Sequence, residues 1–187
     1  KTLNDFEGSF NDYLKASEID PSLPHPFHNL GRSKIELGDY VSAIDYFTKS
    51  INVDDSTLRS ESYRLRGYSK LEINDSQNGL VDVEKSLEID PNNIESIGCL
   101  SYAKYKCDQI NEAIIFADEA LKLNPDCKLA LLSRALCRAL SGDDHGVISD
   151  LDKVLDESLS YVGFFCRGCA KKNIEDYQGA INDFNCA

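Results

Sequence analysis

Residues 30–47 read LGRSKIELGDYVSAIDYF, and residues 167–184 read RGCAKKNIEDYQGAINDF. Both stretches carry a glycine at the second place, Asp-Tyr at the tenth and eleventh, and Ala-Ile shortly before a final phenylalanine. In the first, Ala43 follows Gly31 by twelve residues and Phe47 follows Ala43 by four. The same triplet recurs as Gly67–Gly79–Val83, Ser101–Ala113–Ala117, Ala135–Val147–Leu151 and Gly168–Ala180–Phe184, in steps of 36, 34, 34 and 33 residues. Pro21, Pro91 and Pro125 fall in register with it, each just after an apolar residue and Asp or Asn. A period of this size marks one supersecondary unit repeated along the chain.

Each unit reads as helix, short turn, helix. Phe27, Leu30, Gly31 and Lys34 share one face at the 3.6-residue period. Gly38-Asp39-Tyr40 interrupts it, and Ala43, Phe47 and Ser50 form the facing stripe of a second helix. Small residues at 31 and 43 let two backbones approach, and Phe47 fills the space beside them. Proline at the end of a unit stops the second helix, because the residue before it disfavours the α conformation. Helices of about 13 residues are marginal alone in water, so stability has to come from stacking on neighbours.

Leu30-Gly31, Gly38-Asp39-Tyr40 and Ala43-Ile44-Asp45-Tyr46-Phe47, echoed by Arg167-Gly168, Asp176-Tyr177 and Ala180 to Phe184, resemble the tetratricopeptide repeat family over nearly the whole chain. The resemblance implies an all-α, right-handed superhelical solenoid of antiparallel helix-turn-helix repeats. The expected repeats are 24–57, 60–93, 94–127, 128–160 and a truncated 161–187. Residues 1–23 are expected to be the second helix of a truncated repeat, with Phe6, Ser9, Tyr13 and Ala16 in register. The chain has no methionine, and with both ends inside a repeat it is expected to be cut from a longer protein. The fourth repeat departs most, with Asp144 where Tyr40, Ile110 and Tyr177 stand elsewhere, and Leu159 in place of proline.

Numbering positions from 1 within each repeat exposes a pairing. Position 7 is Leu30, Arg66, Leu100, Arg134 and Arg167, and position 23 is Tyr46, Asp82, Phe116, Asp150 and Asp183. Arginine coincides with aspartate and leucine with an aromatic, which predicts contact across the hairpin and three bidentate ion pairs. Position 11 is always basic: Lys34, Lys70, Lys104, Arg138 and Lys171. First helices hold 13 of the 20 Lys and Arg residues but only four of the 32 Asp and Glu. The family places first helices on the concave face, so the resemblance implies a basic inner layer and an acidic outer one. Lysine stems covering apolar neighbours account for the inner layer equally well, and solubility for the outer.

The family's ligand-facing positions, carried over, fall on His28, Arg32, Arg64, Tyr68, Tyr102, Tyr105, Leu132, Leu136, Phe165 and Cys169. Tyrosine and arginine are favoured contact residues because they offer area with a polar tip. The run Leu129, Leu131, Leu132, Leu136 and Leu140 exceeds one packing stripe, and reads as a ligand-facing patch or as packing on a further segment. The Lys-then-Asn pair with which one subtype grips a C-terminal carboxylate is absent at positions 5 and 9.

Bulk properties narrow the function. A net charge of −12 disfavours nucleic acid and anionic membranes, and no stretch approaches the apolar length of a membrane span. Seven cysteines, an odd number confined to the second half, read as reduced thiols in a cytoplasmic setting. Cys166-Arg167-Gly168-Cys169 lies inside a first helix, lacks a second ligand pair for zinc, and reads as packing. No phosphate-cradling loop, nucleophile elbow or paired-histidine zinc motif occurs. The reading is a non-enzyme without cofactor or metal that binds a protein or peptide in its concave groove. The alternative is a scaffold or self-association array, with Leu132, Leu136 and Phe165 packing on another copy or domain.

Overall fold

The computed structural model describes residues 3–53, 56–154 and 160–187, and among them every regular element is helical. The chain forms two compact units, Lys1–Ser96 and Ile97–Ala187. In the first, α1 (Leu3–Ile19) packs on α2 (Pro24–Glu36), α2 pairs with α3 (Tyr40–Asn52), and α3 packs on α4 (Ser56–Glu72), which pairs with α5 (Ser76–Ile89). First helices also touch, α2 against α4. α6 (Ile94–Lys106) belongs to the second unit but for its first turn, and α7 (Ile110–Leu123) follows. There α8 (Lys128–Ser141) packs on α7, pairs with α9 (Asp144–Leu151) and touches α10 (Ser160–Asn173), and α10 pairs with α11 (Tyr177–Cys186).

Every hairpin turns in the same way. One residue, at position 15, takes a left-handed conformation: Gly38, Asn74, Asp108, Gly142 and Glu175. The next N–H then reaches back to the carbonyl of the position-11 residue, at 2.9 to 3.0 Å in all five (Asp39 to Lys34, Asp75 to Lys70, Gln109 to Lys104, Asp143 to Arg138, Asp176 to Lys171). This closes the first helix by the Schellman pattern. Asp39, Asp143 and Asp176 then cap the second helix by accepting from Ser42, Gly146 and Gly179 N–H. The fourth repeat keeps this turn: Asp143 takes the cap and Asp144 becomes the first helical residue. Its second helix is short, eight residues. Leu159 lies outside the described residues.

Packing inside a hairpin is close. A Cβ on Gly67 would stand 2.9 Å from the Gly79 carbonyl oxygen, and one on Gly79 would stand 3.0 Å from that of Gly67. Phe47, Val83, Ala117 and Leu151, the equivalent second-helix residues, are fully buried.

Arg66 Nε and Nη2 donate to the two carboxylate oxygens of Asp82, both at 2.8 Å. Arg134 does so to Asp150 at 2.9 and 2.6 Å, and Arg167 to Asp183 at 2.9 and 2.5 Å. The third guanidinium nitrogen reaches position 25 of the preceding repeat: Thr48 at 3.0 Å, Asp118 at 2.7 Å and Asp152 at 2.7 Å. Each arginine therefore ties its own hairpin to the previous one. The aspartates are buried. Burial pushes the Asp82 carboxyl up, but hydrogen bonds from Arg66 and Lys70 outweigh it and hold the group below its usual range.

Candidate functional site

The position-11 cations are occupied within the fold. Lys70, Arg138 and Lys171 add a second cation to Asp82, Asp150 and Asp183, at 2.7, 2.7 and 3.0 Å. Lys34 meets Asp39 and Lys104 meets Glu112, both at 3.0 Å. The basic layer of the sequence is thus in large part an internal ion-pair system, since all five position-11 residues and the three position-7 arginines have acidic partners. A long flexible stem can reach either a ligand or an acid on the neighbouring helix, and periodicity alone does not separate the two.

The face read as ligand-binding has two parts. In the first unit His28 is buried, Arg32 exposed, and Arg64 and Tyr68 half-buried. His28 Nδ1 lies 2.9 Å from Ser62 Oγ, and its ring meets Phe47 edge-on at 5.7 Å. Its Nε2 points at Glu61 from 3.6 Å, and Arg64 Nη2 stands 3.5 Å from the other oxygen of that carboxylate. Both distances allow charge attraction but exceed a good hydrogen bond. Glu61 is nevertheless held below the ordinary carboxylate range, first by His28 and then, against desolvation, by the charges of Arg64 and Arg32. Sequence reasoning does not single out Glu61; its signal is an acid among only four in the first helices, placed beside three basic groups. Tyr68 packs edge-on against Tyr40 at 6.2 Å.

In the second unit Tyr102 is buried and lies parallel to half-buried Tyr105, their rings 6.3 Å apart. Burial pushes the Tyr105 phenol upward, beside the thiols of Cys137 and Cys166. Leu132 and Leu136 are 6% and 8% exposed. Their helix is covered by α7, α9 and α10, so these two side chains are mostly packing, and Leu140 is the exposed member of the run. Phe165 is 51% exposed, with its ring between those of Tyr161 and Phe184 at 6.3 and 5.9 Å. Cys169 is half-buried. Burial pushes the Cys137 and Cys166 thiols up to about 11, which makes poor nucleophiles at neutral pH. Among the described residues no cluster of three or more histidine, cysteine or acidic side chains could hold a metal ion, and no helix is long and apolar enough to cross a membrane.

Residues 24–57 match the family described as tetratricopeptide repeat. The CTR9 homolog of Arabidopsis thaliana is 26% identical over 143 residues, 75% of this chain and 13% of that protein. The chain spans 8% to 13% of the length of three curated relatives it matches. Among solved structures, TTC0263, a thermophilic repeat protein of the same type from Thermus thermophilus, superposes with a TM-score of 0.71 at 17% identity, covering 86% of this chain and 87% of that one. YrrB, a repeat protein with an unusual peptide-binding site, gives 0.57 at 19% identity, covering 91% and 88%. At such identities the likeness establishes the fold.

Proposed function

This chain is an array of tetratricopeptide repeats, and we propose that it is a non-catalytic module whose first-helix faces bind a partner protein or peptide. The observation that carries the reading is the first-unit cluster, where Arg32, Arg64 and Tyr68 stand on adjacent first helices outside the ion-pair system that absorbs the position-11 cations. In the second unit Tyr105 and Phe165 offer aromatic area, with buried Tyr102 stacked on Tyr105; Cys169 is half-buried, and Leu132 and Leu136 are buried. Similarity to YrrB adds a neighbour that binds peptide. The test is affinity capture from source lysate with wild type and Arg32→Glu/Tyr68→Ala, both checked for native helicity. A protein retained by wild type and lost by the variant is the expected result; identical retained sets overturn the reading.

A second reading, a self-associating scaffold, draws on the exposed Tyr161, Phe165 and Ile181 of the last hairpin. Light scattering over a range of concentrations separates the two. Dimerisation abolished by Phe165→Asp/Ile181→Asp supports the scaffold, and a monomer throughout rejects it.

A further inference from the structure

We propose that Glu61 is a built-in stand-in for a partner's carboxylate, and that His28, Arg32 and Arg64 form the seat an aspartate or glutamate side chain takes when Glu61 swings out. The inference rests on the reading of the first-helix face as the binding face and names the chemistry of its first unit.

Three observations lead there. The first is an unmet demand. His28 is 3% exposed, yet its Nε2 has no hydrogen-bond partner, and neither does the buried Nε of Arg64. Buried donors of this kind ordinarily find a partner. The second is direction. Ser62 engages Nδ1 at 2.9 Å, so Nε2 is the edge left over, and it faces the Glu61 carboxylate. In the tautomer where Ser62 donates to Nδ1, the ring N–H sits on Nε2 and points at that carboxylate. The third is fit. Glu61 reaches both basic groups only at 3.5 and 3.6 Å, while the pairs that hold Asp82, Asp150 and Asp183 close to 2.5–3.0 Å. Glu61 and Arg64 lie on one helix three residues apart, and the carboxylate stands 3.5 Å from Nη2 while the Arg64 Nε is left unmet. A carboxylate arriving from outside is not tied to that helix and can approach Nε2 and the Arg64 fork together, with exposed Arg32 beside them.

Glu61 is suited to leave. Its side chain is 39% exposed, and its negative charge balances the basic groups until a partner arrives. A seat that carries its own anion also discriminates: a neutral peptide gains nothing by displacing Glu61, whereas an acidic one exchanges a poor carboxylate contact for a better one.

The test uses a twelve-residue fluorescein-labelled peptide alternating Glu and Ala, and its Gln-Ala counterpart, read by anisotropy at fixed ionic strength. The Glu peptide is expected to bind and the Gln peptide not. Glu61→Gln should tighten the Glu peptide about fivefold, the size of one partly exposed charge contact. Arg64→Gln and Arg32→Gln should each weaken it by a similar factor. Lys49→Gln, which removes a charge of α3, should leave it unchanged. Equal binding of both peptides, no gain from Glu61→Gln, or the same loss from Lys49→Gln as from Arg64→Gln overturns the proposal. The broader reading fails separately: if capture from lysate is lost in Arg32→Glu/Tyr68→Ala but indifferent to Glu61→Gln, the face binds a partner and the carboxylate seat is wrong.

Discussion

The two units stack their hairpins through the same positions with different chemistry. In the first unit, position 27 of one repeat meets position 3 of the next as hydroxyl against hydroxyl: Ser50 with Ser62 at 3.1 Å and Ser86 with Ser96 at 2.8 Å. Ser62 continues to His28 and Ser86 to Ser60, so the seam is a buried hydrogen-bond chain. In the second unit the same positions hold Ala120 with Ala130 and Val154 with Gly163, all buried and none with a polar side chain. Cys99, Cys127 and Cys137 are also buried in this unit, and its buried hydroxyl pair, Ser101 with Ser133, lies at other positions of the repeat. One backbone geometry therefore accepts either solution provided both sides agree. A hydroxyl with a partner adds direction, and a hydroxyl without one carries the desolvation penalty alone.

What the units share has to be separated from what distinguishes them, and the Arg–Asp pairs are shared. Asp82→Ala in the first unit and Asp150→Ala in the second each leave two cations facing a buried gap, with an expected loss of about 3–5 kcal/mol. Urea midpoints at unchanged slope measure it. Arg66→Leu/Asp82→Phe copies the Leu100 and Phe116 pair of the third repeat and should return to within about 2 kcal/mol of wild type. Lys70 can then turn to Asp75, as Lys34 does to Asp39. The Asp82 carboxyl is depressed in the fold, so its contribution is complete above the ordinary value of 3.8 and is lost as pH falls through the folded value. The stability gap between wild type and the double variant should therefore shrink in acid below that range. Unequal losses in the two units would mean that the difference between them extends beyond the seam.

The seam itself gives the next largest effect. Ala130→Ser places a lone hydroxyl opposite Ala120 and should cost about 1–3 kcal/mol. Adding Ala120→Ser should recover part of that, because position 27 then supplies a partner as Ser86 does for Ser96. The reverse exchange, Ser86→Ala/Ser96→Ala, should cost less than the sum of its single variants. Additive single costs in both directions would show that the seams are tolerant and that their agreement within each unit carries no energy.

The hairpin pattern was legible because two features recur together: the small-residue triplet on facing helices, and arginine at position 7 wherever aspartate stands at position 23. The seam was less so. Ser50, Ser86, Ala120 and Val154 form a consistent set only when read against Ser62, Ser96, Ala130 and Gly163, and serine and alanine look alike to a pattern that asks only for smallness. Burial of His28, Leu132 and Leu136 was not legible at all. It depends on how a first helix is covered by the helices around it, and the periodicity of one helix reports only its own inward stripe.

The smallest effect concerns the turns, where each unit has one glycine at the left-handed position, Gly38 in the first and Gly142 in the second. The remaining turns use Asn74, Asp108 and Glu175. Asparagine and aspartate tolerate that conformation because a short polar side chain bonds locally, whereas glutamate has a longer stem and meets the ordinary steric cost of a left-handed residue. Glu175 is also exposed, so no packing compensates. Glu175→Gly should raise stability by about 1 kcal/mol at most, since the relieved strain is offset by the greater freedom of glycine in the unfolded chain. Gly142→Ala, at the matching position in the same unit, should lower it by a comparable amount. If Glu175→Gly is neutral while Gly142→Ala is costly, the unfolded-chain entropy of glycine cancels the strain of glutamate, and the last hairpin gains nothing from the residue that serves the fourth.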